Sequence, residues 1–187
     1  KKNNLIRGEA KALSKRKINE ETCNKYSYQV GDFNGQPVQI ANYLKSGKIV
    51  GQKLRFANKD FVWLGDTNVG LYGEWLWRDS GKLVTVVEGE LDCLSLSQVQ
   101  NNKYPVVSVR TGAAGAKRDV KKSLEWLEKF ETVVFMFDQD EVGQKAANEC
   151  AQLFTPGKAK IANLPLKDAN EMLKAGRVKE LLDAMWG

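Results

Sequence analysis

The sequence predicts an α/β chain in two parts: a basic N-terminal α+β subdomain with antiparallel strands, then an α/β subdomain with a mostly parallel sheet. Three observations predict it. From Tyr26 to Leu64 the apolar residues recur with a period of two, broken at Asn34-Gly35 and Lys45-Ser46-Gly47, which is the pattern of strands joined by tight hairpin turns. After Asp79-Ser80-Gly81 the pattern becomes apolar runs alternating with helical segments, which implies a parallel sheet with crossover helices. Two of those runs, Leu83–Val87 and Val133–Phe137, end abruptly in carboxylates, and open α/β sheets place their chemistry beyond the carboxyl ends of such strands.

The elements follow in order. Residues 5–17 are expected to form a short basic helix. Asn19 is expected to cap a second helix whose first turn holds Glu20 and Glu21, placing negative charge at the positive end of the helix dipole. Four antiparallel strands are expected at Tyr26–Val30, Val38–Leu44, Ile49–Phe56 and Phe61–Leu64. Residues 65–73 read as irregular, and Glu74–Trp77 as one helical turn. The boundary is placed at residue 80, giving parts 1–80 and 81–187. In the second part strands are expected at 83–87, 106–109, 132–137 and 159–163. Helices are expected at 90–100, 117–129, 141–153, 168–174 and 177–185.

Charge divides along the same line. Residues 1–80 carry 14 Lys/Arg against 8 Asp/Glu, whereas residues 81–187 carry 15 of each. The basic part suits a polyanion, and the acidic residues of the second part suit a hard cation. There are three scattered Cys and no His, which argues against a disulfide framework or a zinc site and for a reduced, cytoplasmic setting. No apolar stretch approaches the roughly 18–20 residues that span a bilayer, so no membrane partner is expected. The chain begins without Met and is expected to be a piece of a longer protein.

The carboxylates carry the chemistry. Glu88 follows the first parallel strand, and Glu90 begins the helix after it. Asp138 and Asp140 follow the third strand with DxD spacing, which turns both side chains the same way in an extended segment. Glu88, Glu90, Asp138 and Asp140 are expected to meet at one rim. Oxygen ligands without His or Cys point to Mg²⁺ or Mn²⁺. Asp92 reads as an acidic first-turn residue that complements its helix dipole. Asp168 reads equally as a further ligand or as the N-cap of the helix after it. Lys53 and Arg55 share one face of a strand and Lys59 follows in a turn; the three can hold a triphosphate or template phosphates, or can simply decorate a solvent-facing edge. Arg110, Lys117 and Arg118 flank a loop of small residues that can admit a phosphate, although the GxxxxGK[ST] of a P-loop is absent.

Taken together, Val87-Glu88-Gly89-Glu90-Leu91-Asp92 and Met136-Phe137-Asp138-Gln139-Asp140-Glu141-Val142-Gly143 resemble the TOPRIM signature of primases, topoisomerases and some nucleases. Ile18–Cys23, Ile49–Arg55, Tyr104–Ser108 and Lys167–Glu171 resemble, in the same order, the primase half of bifunctional phage primase–helicases. The resemblance implies a basic subdomain followed by a TOPRIM subdomain. It implies synthesis of RNA primers from ribonucleoside triphosphates on a single-stranded DNA template, with a zinc module and a helicase elsewhere in the full-length protein. By the same resemblance Glu88 matches the catalytic glutamate, Asp138, Asp140 and Asp168 match metal ligands, and Lys53 and Lys59 match lysines that contact nucleotide and template. Arg110 stands where a smaller residue is usual. A TOPRIM nuclease, or a non-catalytic spacer that binds single-stranded DNA, would share much of this pattern.

Overall fold

The structure is a computed structural model that describes residues 4–187. The chain divides into two compact units, Lys1–Val69 and Gly70–Gly187; the segment up to Asp79-Ser80, which the sequence reading placed with the first part, clusters with the second.

The first unit holds a five-stranded antiparallel sheet in simple sequential order. Its strands are β1 (Gly8–Glu9), β2 (Tyr28–Phe33), β3 (Gln36–Lys45), β4 (Lys48–Phe56) and β5 (Phe61–Gly65). The β2–β3 and β3–β4 hairpins turn where the sequence indicated. Asn34 and Gly35 have φ of 51° and 84°, and Ser46 and Gly47 have φ of 52° and 78°. Two consecutive positive-φ residues make the turn whose twist matches that of the paired strands. One face of the sheet packs Val38, Ile40 and Leu54 with Ile6, Val62 and Leu64. Between β1 and β2 lies α1 (Glu20–Lys25), capped as expected by Asn19, whose side chain accepts from Thr22 N at 2.8 Å.

Residues 5–17 are a correction. They form no α-helix; the short strand β1 and a 3₁₀ turn at Ser14–Arg16 stand there instead. The reason is tertiary. The Gln52 side chain accepts from Ile6 N at 2.9 Å and donates to Ile6 O at 2.8 Å, which holds this backbone extended. Gly8 then pairs with Gly31, and a Cβ on Gly8 would sit 2.8 Å from the Ile40 side chain.

The second unit holds a parallel sheet of β6 (Gly81–Val87), β7 (Val106–Ser108), β8 (Phe130–Met136) and β9 (Ala159–Ile161), in the order β7-β6-β8-β9. The central strands are continuous apolar runs because both faces are covered. Val84, Val86, Val133 and Phe135 pack against α3 (Gly112–Lys122) and α5 (Glu141–Ala151) through Ala116, Val120, Ala146 and Ala147. On α2 (Glu90–Gln98) every residue from Glu90 to Ser97 is buried. It is tied to α6 (Ala169–Lys174) where Asn170 Nδ2 donates to Ser95 Oγ at 2.9 Å. The expected helix 117–129 is two helices, α3 and α4 (Leu124–Glu128), meeting at Ser123, whose hydroxyl donates to Glu74 Oε1 at 2.7 Å. The chain ends in α7 (Val178–Trp186). No helix among the described residues is long and apolar enough to cross a membrane.

Candidate active site

Val87 of β6 pairs with Met136 of β8 in parallel register. Both strands stop there, so Glu88 and Asp138 leave the sheet at the same rim. The two are linked directly, because Glu88 Oε1 accepts from Asp138 N at 3.0 Å. Asp168 reaches the rim as the N-cap of α6, where its Oδ1 accepts from Glu171 N at 2.9 Å. The remaining member is Asp92, in the first turn of α2. Asp92, Asp138 and Asp168 each offer one carboxylate oxygen, and these three oxygens lie within 4.8 Å of one another.

This grouping differs from the expected one: Glu88 borders the three through its hydrogen bond with Asp138 N but is not one of them. Asp92 joins the cluster, whereas Glu90, buried two residues earlier on the same helix, does not belong to the three. Asp140 serves as N-cap of α5, its Oδ1 accepting from Gly143 N at 2.7 Å. It sits close enough for its charge to act on Glu88 and Asp138. Asp92 carried a local signal, an acid in a helix's first turn, that is complete without any metal. Its Oδ1 accepts from Asn170 N at 3.1 Å, a partner remote in sequence, and only that packing of α6 on α2 brings Asp168 alongside.

Electrostatics mark these acids as a set. Burial, then the charges of Glu88 and Asp168, push the Asp138 carboxyl up to about 7, against the pull of the Lys167 ammonium. Glu88 is raised chiefly by burial, with the Asp138 N–H opposing. Asp92, only 7% exposed, is held well above the usual carboxylate range by burial and by Asp168 and Asp138. Acids that raise one another in this way are short of counter-charge, which Lys167 offsets only in part. Three carboxylate oxygen donors, one buried and two half-buried, without His or Cys are the donor set of a hard divalent cation, so the residues present fit one.

A pH dependence follows. Between roughly pH 4 and about 7 the folded metal-free protein holds a proton on Asp138 that the unfolded chain has released. The unfolded state then binds fewer protons, so stability falls as pH rises through that window and flattens above it. Glu88 and Asp92 shift the same way, and the chain has no His to mask the slope. Melting temperature measured in chelator should therefore decline from about pH 5 to about pH 8. Added Mg²⁺ should raise it most at the alkaline end, where the carboxylates are free to bind.

Gly143 seals the back of the site. A Cβ there would lie 2.9 Å from Glu88 Oε1 and 3.0 Å from Asp140 Oδ1, and closer still to the Asp138 carbonyl oxygen. Gly143→Ala should cost about 1–3 kcal/mol in stability, as overpacking does, and should displace Glu88. Loss of activity well beyond the fraction unfolded, read from a melt and an assay side by side, is the expected result.

The basic residues are placed as follows. Lys53 and Arg55 share a face of β4 and both lie over the Phe61 ring, at 4.6 and 5.4 Å from its centroid. Lys59 sits in the β4–β5 turn with φ of 74°. The small-residue stretch after β7 is no open loop, since Gly112 onward is α3. Arg110 N, Thr111 N and Thr111 Oγ1 all donate to Asp119 Oδ2 at 2.9–3.0 Å, which pins the turn. Lys117 and Arg118 are exposed on α3, with Arg118 donating to Thr111 Oγ1 at 3.2 Å.

Residues 8–65 match the family described as bacteriophage T7 DNA helicase/primase, N-terminal α+β fold, and residues 85–173 match the Toprim-like family. The chain superposes on the crystal structure of the primase fragment of the bacteriophage T7 primase-helicase protein with a TM-score of 0.91 and 40% identity, covering 96% of this chain and 75% of that one. It belongs to the phage helicase/primase family. The DNA helicase/primase of Enterobacteria phage T3 is 39% identical over 176 residues, 93% of this chain; this family member spans 31% of that relative's length. A second match, TM-score 0.91 and 38% identity over 100% of this chain and 98% of the other, is to primase domains captured with bacteriophage T7 lagging-strand DNA polymerase, an RNA/DNA hybrid and dTTP. The DnaG catalytic core, at 16% identity and a TM-score of 0.68 over 93% of this chain and 70% of that one, shares the fold.

Proposed function

We propose that this chain is the primase part of a longer phage primase–helicase. It joins ribonucleoside triphosphates into RNA primers on a single-stranded DNA template, in the cytoplasm of the infected cell. The observation that carries the reading is the convergence of Asp92, Asp138 and Asp168 beside Glu88 at the carboxyl rim of the parallel sheet. These three, with Asp140 in support, would hold Mg²⁺ or Mn²⁺, which when bound stabilises the charge developing on the entering and departing oxygens at the α-phosphate.

The protein's own groups do the rest. Glu88 takes the proton of the attacking 3′-hydroxyl; its raised pKa makes it a better base than an ordinary carboxylate, and one of its oxygens is fixed by Asp138 N. Lys53, Arg55 and Lys59 neutralise triphosphate or template, and Arg110, Lys117 and Arg118 extend the basic surface. The assignment of nucleotide and template contact to residues 1–80, and of metal and catalysis to 81–187, is part of the same reading. A helicase and a zinc module are its expected covalent partners.

The test is template-directed synthesis by the purified chain, alone and with a zinc module supplied. Labelled ribonucleotides should enter short products only with template and a divalent cation. Cleavage of labelled DNA without incorporation would turn the reading into a nuclease.

A further inference from the structure

Two of the three carboxylates that converge at the rim are held by the same short helix. Asp92 Oδ1 accepts from Asn170 N at 3.1 Å, and Asp168 Oδ1 accepts from Glu171 N at 2.9 Å. The donors are consecutive N–H groups in the first turn of α6, which have no carbonyl partner inside their own helix. Each acid spends one oxygen there and keeps a second.

With six residues, α6 is too short to hold its shape alone in water. Where its first turn lies is set by what it is fastened to. Asn170, only 2% exposed, fastens it twice. Its backbone N–H holds Asp92, and its side-chain Nδ2 donates to Ser95 Oγ at 2.9 Å. Ser95 stands three residues beyond Asp92, the next position along the same face of α2. One residue of α6 therefore grips α2 at two points a turn apart. A single hydrogen bond would leave α6 free to swing about it; two fix its direction, and with it the place of Asp168.

The bond also has a fixed sense. The Ser95 hydroxyl gives its one proton to Leu91 O at 2.8 Å, so toward Asn170 it can only accept. The amide nitrogen is thereby turned to α2. Ser95 is fully buried, and an apolar pair of the same shape would serve packing there about as well. What the polar pair adds is orientation.

We infer that Asn170 and Ser95 are positioning residues of the cation site: their side-chain bond sets Asp168 against Asp92, so that the three carboxylates close on one ion. Neither side chain is assigned a contact with the ion. The inference rests on the proposed reading that Asp92, Asp138 and Asp168 hold a divalent cation, and adds to it the pair that holds two of those ligands in place.

The experiment is a Mn²⁺ titration of the whole chain, followed by electron paramagnetic resonance of the free ion, at a temperature where a metal-free melt shows every variant folded. Ser95→Ala and Asn170→Ala should each weaken Mn²⁺ binding by about 10–100-fold, the scale for groups that orient metal ligands. Both remove the same bond, so the double variant should bind no more weakly than the weaker single. Ser123→Ala breaks a hydroxyl bond of the same kind in the same unit, to Glu74 Oε1 at 2.7 Å, and should keep wild-type affinity; a general loss of stability would move all three alike. Wild-type affinity in Ser95→Ala and Asn170→Ala, an equal loss in Ser123→Ala, or a double variant whose loss is the product of the singles would each overturn the inference. Should Asn170→Ala not fold, Ser95→Ala measured against Ser123→Ala decides it. Wild type binding Mn²⁺ no better than Asp92→Asn would instead remove the cation reading itself, and this inference with it.

Discussion

Glu88→Gln should abolish primer synthesis, lowering its rate by about 10²–10⁴-fold, the range that a positioned base contributes, while strand binding stays at the wild-type level. The amide is isosteric, and its oxygen can still accept from Asp138 N, the bond that ties the ends of β6 and β8 together. What disappears is the ability to take a proton. Removing one of several mutually repelling acids should also leave the fold intact, so the melting temperature should match or exceed wild type. A dinucleotide assay beside a thermal melt checks both halves. Synthesis persisting in the variant would remove Glu88 from the chemistry, and collapse of the melt would recast it as structural.

Asp92→Asn should separate stability from function more sharply still. Its carboxylate is buried in α2 beside Asp138 and Asp168 and raised by both. The amide oxygen can still accept from Asn170 N, so the packing of α6 survives. Without metal, at about pH 8, the variant should gain about 1 kcal/mol or more, roughly 2–4 °C for a chain of this size, because one unbalanced buried charge is gone. With Mg²⁺ the order should reverse. Wild type should be stabilised by ligand binding to the folded state, the variant should not, and its synthesis should fall by about a hundredfold or more. A variant that shows the wild-type Mg²⁺ shift would place the cation elsewhere.

These two residues also show what the sequence could and could not disclose. Glu88 and Asp138 were legible because an apolar run that ends in an acid leaves few other readings, and because two such runs lie side by side in one parallel sheet. Asp92, Asp140 and Asp168 share one local appearance, an acid at a helix N-terminus, and all three make hydrogen bonds to backbone N–H groups. Which of them also turns an oxygen toward Asp138 depends on how α2, α5 and α6 pack, and no local pattern encodes that. The same limit applies to residues 5–17. Their Lys and Arg suited a helix, but Gln52 claims the Ile6 backbone from across the sheet. The first two hairpin turns were legible, since Asn34-Gly35 and Ser46-Gly47 supply positive φ locally, although Lys45, read as part of the second turn, ends β3. Phe61 read as an ordinary strand residue; its exposure and its two cations emerge only once β5 becomes an edge.

The central claim is that Asp92, Asp138 and Asp168 together hold a divalent cation. The most direct measurement is anomalous diffraction from crystals of the wild-type chain grown with Mn²⁺. The expected result is a peak within coordination distance of all three carboxylates, absent from Asp92→Asn crystals under the same conditions. Full Mn²⁺ occupancy elsewhere on the chain, with no peak among these three side chains, would contradict it.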